Sequence, residues 1–159
     1  MIRGATDMSE KRIYLDMCCW KRPFDDQSQD RIRLETEAIV LIIEQYDRGQ
    51  IALIRSAGLD LENDLNPRED RRQKVSELLD RCSKAQSVTS EVQARTAELT
   101  GIGFKPFDAL HLALAEAARA EVLLTCDRRF LRTARRNCEK LRCRVVNPIE
   151  HIQQEEEDL

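Results

Sequence analysis

Apolar residues along this chain follow two rhythms. Short unbroken runs, such as Ile13-Tyr14-Leu15 and the stretches at residues 50–56 (QIALIRS) and 121–125 (EVLLT), have the length of buried strands. Between them lie longer stretches whose apolar positions recur every three to four residues, the period at which a helix turns one face to a core. In residues 31–49, Ile32, Ile39, Ile43 and Tyr46 keep that spacing and Gly49 ends it. The pattern predicts strands over residues 12–16, 50–56, 86–90, 121–125 and 144–148. It predicts helices over residues 31–49, 57–65, 67–85, 90–103, 106–120 and 128–141. Ser90 is the expected N-cap of one, with Gly101 behind it, and Pro106 sits in the first turn of the next. Residues 21–30, with Pro23 and clustered Asp, read as a loop.

Strands that alternate with helices argue for an α/β fold, a three-layer α/β/α sandwich around a mainly parallel sheet. Short, wholly apolar strands suit a sheet covered on both faces. One domain, residues 12–150, accounts for most of the 159 residues. Residues 1–11 are polar and patternless, the signature of a disordered N-terminal extension in which Met8 is a candidate natural start. Residues 151–159 read as a frayed acidic tail.

Composition narrows this picture. Hydrophobic residues make up 42% and aromatics only 4%, so the core must be built from Leu, Ile, Val and Ala. A formal net charge of -3 gives no general basic footprint for nucleic acid. No apolar run approaches the ~20 residues that span a bilayer. The six cysteines show no C-x-x-C pair and no zinc-ligand spacing, and no signal-peptide pattern precedes them. They are expected to be reduced, mostly buried thiols of a cytoplasmic protein.

Two of the strand-like runs stop on a carboxylate, at Asp16 and at Asp127. In parallel α/β sheets, sites lie outside the carboxyl ends of the strands, so both acids reach one edge. The helix from Phe107 runs into the next strand through a very short link, which places its start, and Asp108, at that same edge. Glu62 follows the second strand and can reach it too; Asp60, Glu35 and Glu37 compete for that role. A lone Asp after a strand is more often a turn or cap residue, and Asp108 alone could be a first-turn charge. Convergence is what raises the functional reading. Two unit charges ~5 Å apart at an effective dielectric of ~20 repel by about 3 kcal/mol. A cation among them relieves this, and an all-oxygen donor set suits Mg²⁺ or Mn²⁺. Such a site can activate water and stabilise a departing oxygen in phosphodiester cleavage.

These residues resemble the PIN-domain family, the metal-dependent ribonuclease fold of the VapC-type toxins of bacterial toxin–antitoxin pairs. The resemblance covers roughly residues 12–150. Its most specific part is FDALHLALAEAARAEVLLTCDRRF (residues 107–130), similar to the family's helix–strand pair carrying the third and fourth acids. IYLDMCCW is similar to the strand bearing the first acid, and ALIRSAGLDLE to the strand, serine and helix leading to the second. The resemblance implies Asp16, Glu62, Asp108 and Asp127 as catalytic metal ligands for Mg²⁺ or Mn²⁺, with Thr125 and Ser56 supporting them. It implies hydrolysis of RNA phosphodiester bonds, a homodimer and an antitoxin protein as partner. It admits an RNA-processing nuclease outside any toxin pair, or a noncatalytic binding module. Met17 and Cys18 stand where the family carries a small hydroxyl or amide residue. A haloacid-dehalogenase-like phosphatase fits worse, since Cys18 stands where its second Asp belongs.

Other residues carry weaker signals. Arg128, Arg129 and Arg132, with Arg135 and Arg136, could guide an RNA backbone toward Asp127, or simply form a solvated helix face. Arg22 and Lys105 flank proposed acids and could touch phosphate. Trp20 and Phe24 could stack a base but fit packing better. His111 reads as a packed core-edge histidine rather than a ligand. The Ile-rich helix over residues 31–48 could expose apolar surface to a partner.

Overall fold

The computed structural model describes residues 10–82 and 84–158. Five parallel strands form one sheet: β1 (Lys11–Leu15), β2 (Ile51–Ser56), β3 (Lys84–Gln86), β4 (Val122–Leu124) and β5 (Arg144–Val146). Their order is β3-β2-β1-β4-β5. The helices are α1 (Met17–Lys21), α2 (Asp30–Asp47), α3 (Ala57–Asp64), α4 (Glu69–Leu79), α5 (Ser90–Ile102), α6 (Pro106–Ala117), α7 (Arg128–Arg136) and α8 (Pro148–Glu157). They cover both faces of the sheet, so the fold is the three-layer α/β/α sandwich that the pattern predicts.

The strand order decides where a site can form. From β1 the chain winds outward in one direction through β2 and β3, and in the other through β4 and β5. Right-handed crossovers put the helices of the two halves on opposite faces. The crevice between them opens at the carboxyl ends of β1 and β4, the switch point of the sheet. Ile13 pairs with both Leu53 and Val122, so β1 is flanked on each side and Ile13, Tyr14 and Leu15 are buried. The core around them is aliphatic, with Ile39, Ile42, Leu59, Leu99, Leu112 and Leu123 fully enclosed.

Several boundaries differ from the sequence expectation. α1 falls where the pattern predicts no element; Asp16 caps it, and Met17, Cys19 and Trp20 bury one side of it. Thr89, not Ser90, caps α5, its hydroxyl accepting from Val92 N at 3.2 Å. Gly101 lies inside that helix, and Gly103 ends it at φ 127°, a conformation that glycine adopts without strain. β3 comes earlier than residues 86–90, and α4 is shorter than residues 67–85. The segment read as a frayed acidic tail is instead helical through Glu157. Asn147 caps α8, Pro148 fills its first position, and buried His151 seats it against α2, where Gln45 donates to Glu155 at 3.2 Å. Most of the N-terminal extension lies outside the described residues, and its last residue, Lys11, already pairs with Ile51 in β1.

Candidate active site

β1 and β4 run side by side with Leu15 opposite Leu124, so the residues leaving the two strands emerge together. The Asp16 amide donates to Leu124 O at 2.9 Å, which locks the exit of β1 to the end of β4. Each strand then turns into a helix that an aspartate caps. Asp16 Oδ1 accepts from Met17 N at 2.8 Å, and Asp16 Oδ2 accepts from the Thr125 hydroxyl at 2.8 Å. Asp127 Oδ1 accepts from Arg129 N at 2.8 Å and Phe130 N at 3.1 Å. Thr125 joins the two, because its oxygen also accepts from Asp127 N at 3.1 Å. Thr125 thus supplies the hydroxyl that Met17 and Cys18 do not.

Asp108 lies in the first turn of α6, where Pro106 starts the helix. Burial, then the charges of Asp16 and Asp127, push its carboxyl up to about 7. Burial pushes Asp16 well above the usual carboxylate range too, against the opposing pull of His111 and Thr125. Asp16 and Asp127 therefore raise the cost of ionising Asp108 in a partly desolvated site.

Glu62 arrives from the other face of the crevice. α3 packs closely on α6 at Gly58, where a Cβ would stand 2.7 Å from Leu114 Cδ1. One turn further on, Glu62 Oε1 pairs with His111 Nε2 at 2.8 Å. His111 Nδ1 lies 2.6 Å from the Tyr14 hydroxyl, which is 2.7 Å from Ser56 Oγ. Ser56 Oγ accepts in turn from Leu59 N at 3.1 Å, capping α3. A buried chain of hydrogen bonds thus runs from the middle of the sheet to Glu62. Burial draws the His111 imidazole pKa down, but the Glu62 bond and the charges of Asp16 and Asp108 outweigh it and raise the pKa.

The donor atoms of Asp16, Glu62 and His111 lie within 4.8 Å of one another. Asp108 and Asp127 fall outside that tight group; Asp108 feels the charges of both Asp16 and Asp127. The rivals for the second acid lie elsewhere. Asp60 pairs with Arg55 at 3.0 Å. Glu35 is buried among Arg22 at 3.3 Å, Arg31 at 3.4 Å and Asn147 at 2.6 Å. Glu37 is exposed. Arg22 is engaged with Asp25 at 2.9 Å as well as Glu35. Lys105 and the α7 residues Arg128, Arg129 and Arg132 are exposed, and among the described residues none enters an ion pair. Trp20 is core, its indole donating to Leu15 O at 3.0 Å, and Phe24 lies under Lys74.

Sequence reasoning missed two members of this site. Tyr14 looked like a core strand residue, and His111 like a packed histidine; both are fully buried, yet both carry the link to Glu62. The available signal was spacing: Asp108 and His111 lie on one face of α6, a single turn apart.

The family model for the PIN domain matches residues 51–136, more than half of the chain. The chain belongs to the PIN-domain family. PIN domains are generally nucleases that use divalent metals, and this PIN domain carries the buried acidic cluster such chemistry requires. Among curated proteins nothing matches its sequence. Among solved structures it is similar to VapBC2 from Rickettsia felis, crystallised with a DNA fragment from the promoter of that pair. The match covers 86% of this chain and 97% of the other, at 14% identity and a TM-score of 0.51. The likeness is one of fold. Among the described residues of this PIN domain, no helix is long and apolar enough to cross a membrane.

Proposed function

We propose that this PIN domain is a Mg²⁺- or Mn²⁺-dependent endoribonuclease and the toxin of a type II toxin–antitoxin pair. The observation that carries this reading is the meeting of Asp16, Glu62 and His111 within 4.8 Å of one another, beside Asp108, whose carboxyl burial and the charges of Asp16 and Asp127 raise to about 7. That repulsion is what a hard divalent cation offsets, and the oxygen-rich donor set fits one. Asp16, Glu62, Asp108 and Asp127 would hold the cation. When bound, the cation supplies the charge that activates water and stabilises the departing oxygen.

The chain's own residues do the rest by fixing carboxylates before substrate arrives. Met17 N and Thr125 hold Asp16; the amides of Arg129 and Phe130 hold Asp127; His111 holds Glu62. His111 is thereby a positioning residue, its ring set by Tyr14. The exposed Arg128, Arg129 and Arg132 begin immediately after Asp127 and offer phosphate contacts beside it. The Rickettsia felis structure is a VapBC complex, which supports an antitoxin partner here; a homodimer in the cytoplasm belongs to the same reading.

The test is metal-dependent cleavage of an RNA panel by the purified chain. Glu62→Gln is expected to abolish single-turnover cleavage, while Asp60→Asn, Glu35→Gln and Glu37→Gln retain it. An active Glu62→Gln beside an inactive Glu37→Gln would move the second acid. Absence of cleavage under both Mg²⁺ and Mn²⁺ would leave a noncatalytic binding module.

A further inference from the structure

Three cysteines distant in sequence meet beside the carboxylates. Cys18 and Cys19 lie in α1, and Cys126 lies between β4 and α7. Their three sulfur atoms lie within 4.8 Å of one another, and no disulfide joins them. Cys19 Sγ and Cys126 Sγ are 3.9 Å apart. A cation that holds sulfurs at ~2.3 Å with tetrahedral angles spaces them about 3.8 Å apart. Packing alone brings two thiols to such a distance; three in mutual reach make a donor set.

We propose that Cys18, Cys19 and Cys126 form a binding site for one soft, thiophilic cation, distinct from the hard-cation carboxylate cluster. Thiolates select Cu⁺, Zn²⁺ and their like, whereas carboxylates select Mg²⁺ and Mn²⁺, so the two sites sort cations by donor type. Cys126 N donates to Cys18 Sγ at 3.2 Å. The Arg22 guanidinium lies beside Cys126 as well as its carboxylate partners Asp25 and Glu35. Each thiol releases its proton to solvent as its sulfur–metal bond forms. Cys18 is only half buried and gives the cation a way in, while Cys19 and Cys126 are enclosed. A cation there would tie α1 to the segment between β4 and α7, the two elements that carry Asp16 and Asp127. Cys18 Sγ itself stands 3.4 Å from Asp16 Oδ2.

The proposal does not depend on the nuclease reading, and its test uses no RNA. The reduced full-length chain is titrated with Cd²⁺ under excess Mg²⁺. One equivalent of Cd²⁺ is expected to bind with ultraviolet sulfur-to-metal charge-transfer absorption, and Zn²⁺ and Cu⁺ should displace it. Cys126→Ser and Cys19→Ser should each weaken binding by about tenfold or more, while Cys138→Ser, at an exposed position, leaves it unchanged. A second measurement needs no variant. Bound Cd²⁺ should protect Cys18 of the wild-type chain from iodoacetamide while Cys138 still reacts, as read by peptide mass mapping. No charge-transfer band, a band that survives in both variants, or equal alkylation of Cys18 with and without Cd²⁺ would each overturn the site.

Discussion

Asp16 and Asp127 do the same local job on neighbouring strands and differ in almost everything else. Both leave a parallel strand, and both cap the helix that follows. Asp16 is 5% exposed and has both oxygens engaged, one by Met17 N and one by Thr125. Asp127 is half buried, and its Oδ1 takes both amide bonds of the cap. The comparison teaches that helix capping and cation binding are compatible uses of one carboxylate. The cap restrains the side chain, and a carboxylate oxygen that accepts one hydrogen bond still has a lone pair to offer. Burial then separates the two: Asp16 is costly to ionise without a cation, whereas Asp127 is held by amide hydrogen bonds near solvent.

The widest separation of function from fold is expected from Asp16→Asn and Asp127→Asn. Each should reduce single-turnover RNA cleavage to background. Neither should lower the melting temperature of the metal-free protein, because each removes a charge from a crowded site and keeps a capping oxygen. At Asp16 the Thr125 hydroxyl can rotate to accept from the new amide. Full cleavage by either variant would end the metal-nuclease reading.

Thr125→Val tests the atom that joins the pair. It keeps the shape of a fully buried side chain but removes the donor to Asp16 and the acceptor for Asp127 N. Mn²⁺ affinity by calorimetry should fall about 10- to 100-fold. Stability should fall by about 1–3 kcal/mol as buried partners lose their hydrogen bonds. An unchanged Mn²⁺ affinity would show that the two acids act separately.

Asp108 supplies a pH test of their shared field. Its folded pKa, about 7, lies above its ordinary value of 3.8. Between those values the folded state holds a proton that the unfolded chain has released, so metal-free stability should fall as pH rises through that window. Asp108→Asn should flatten the fall, and so should saturating Mg²⁺ in the parent. Melting curves of parent and variant with the same slope would sink this account.

The smallest effect concerns capping alone. Asp127→Ala should cost about 1 kcal/mol through the lost cap of α7, where Asp127→Asn costs little. Asp16→Ala should cost more, since it orphans the buried Thr125 hydroxyl as well as the Met17 amide. Equal losses at the two positions, by chemical denaturation, would erase the distinction between them.

How much of this was legible in the sequence follows from which signals are local. The strands of Ile13-Tyr14-Leu15 and of residues 122–124 stand out because burial on both faces demands unbroken apolar runs. Asp16, Asp108 and Asp127 were placed at one edge by chain direction alone, and the structure couples their charges there. α1 was not legible: five residues are too few to show a period. α8 was hidden by its Glu run, of which Glu156 and Glu157 are exposed while Ile152 packs on the core and Glu155 meets Gln45 of α2. The cysteine trio and the Tyr14–His111 link depend on residues 97 or more positions apart, which no spacing rule reaches. Glu62 is one of four acids the sequence offers for one role, and only the packing of α3 on α6 reveals that it is the one beside His111.

The hydrogen-bonded chain from Ser56 through Tyr14 and His111 to Glu62 also has a genetic consequence. It enlarges the target for mutations that silence the protein. In a selection for loss of activity, substitutions at Tyr14 and Ser56 should be recovered alongside those at the acids. Where the new side chain keeps the volume of the old one, their products should accumulate as folded protein of somewhat lower stability, because His111 loses the partner that sets its ring. Such alleles would map to the centre of the sheet, at positions that solvent never reaches, and would mark the chain as part of the working site.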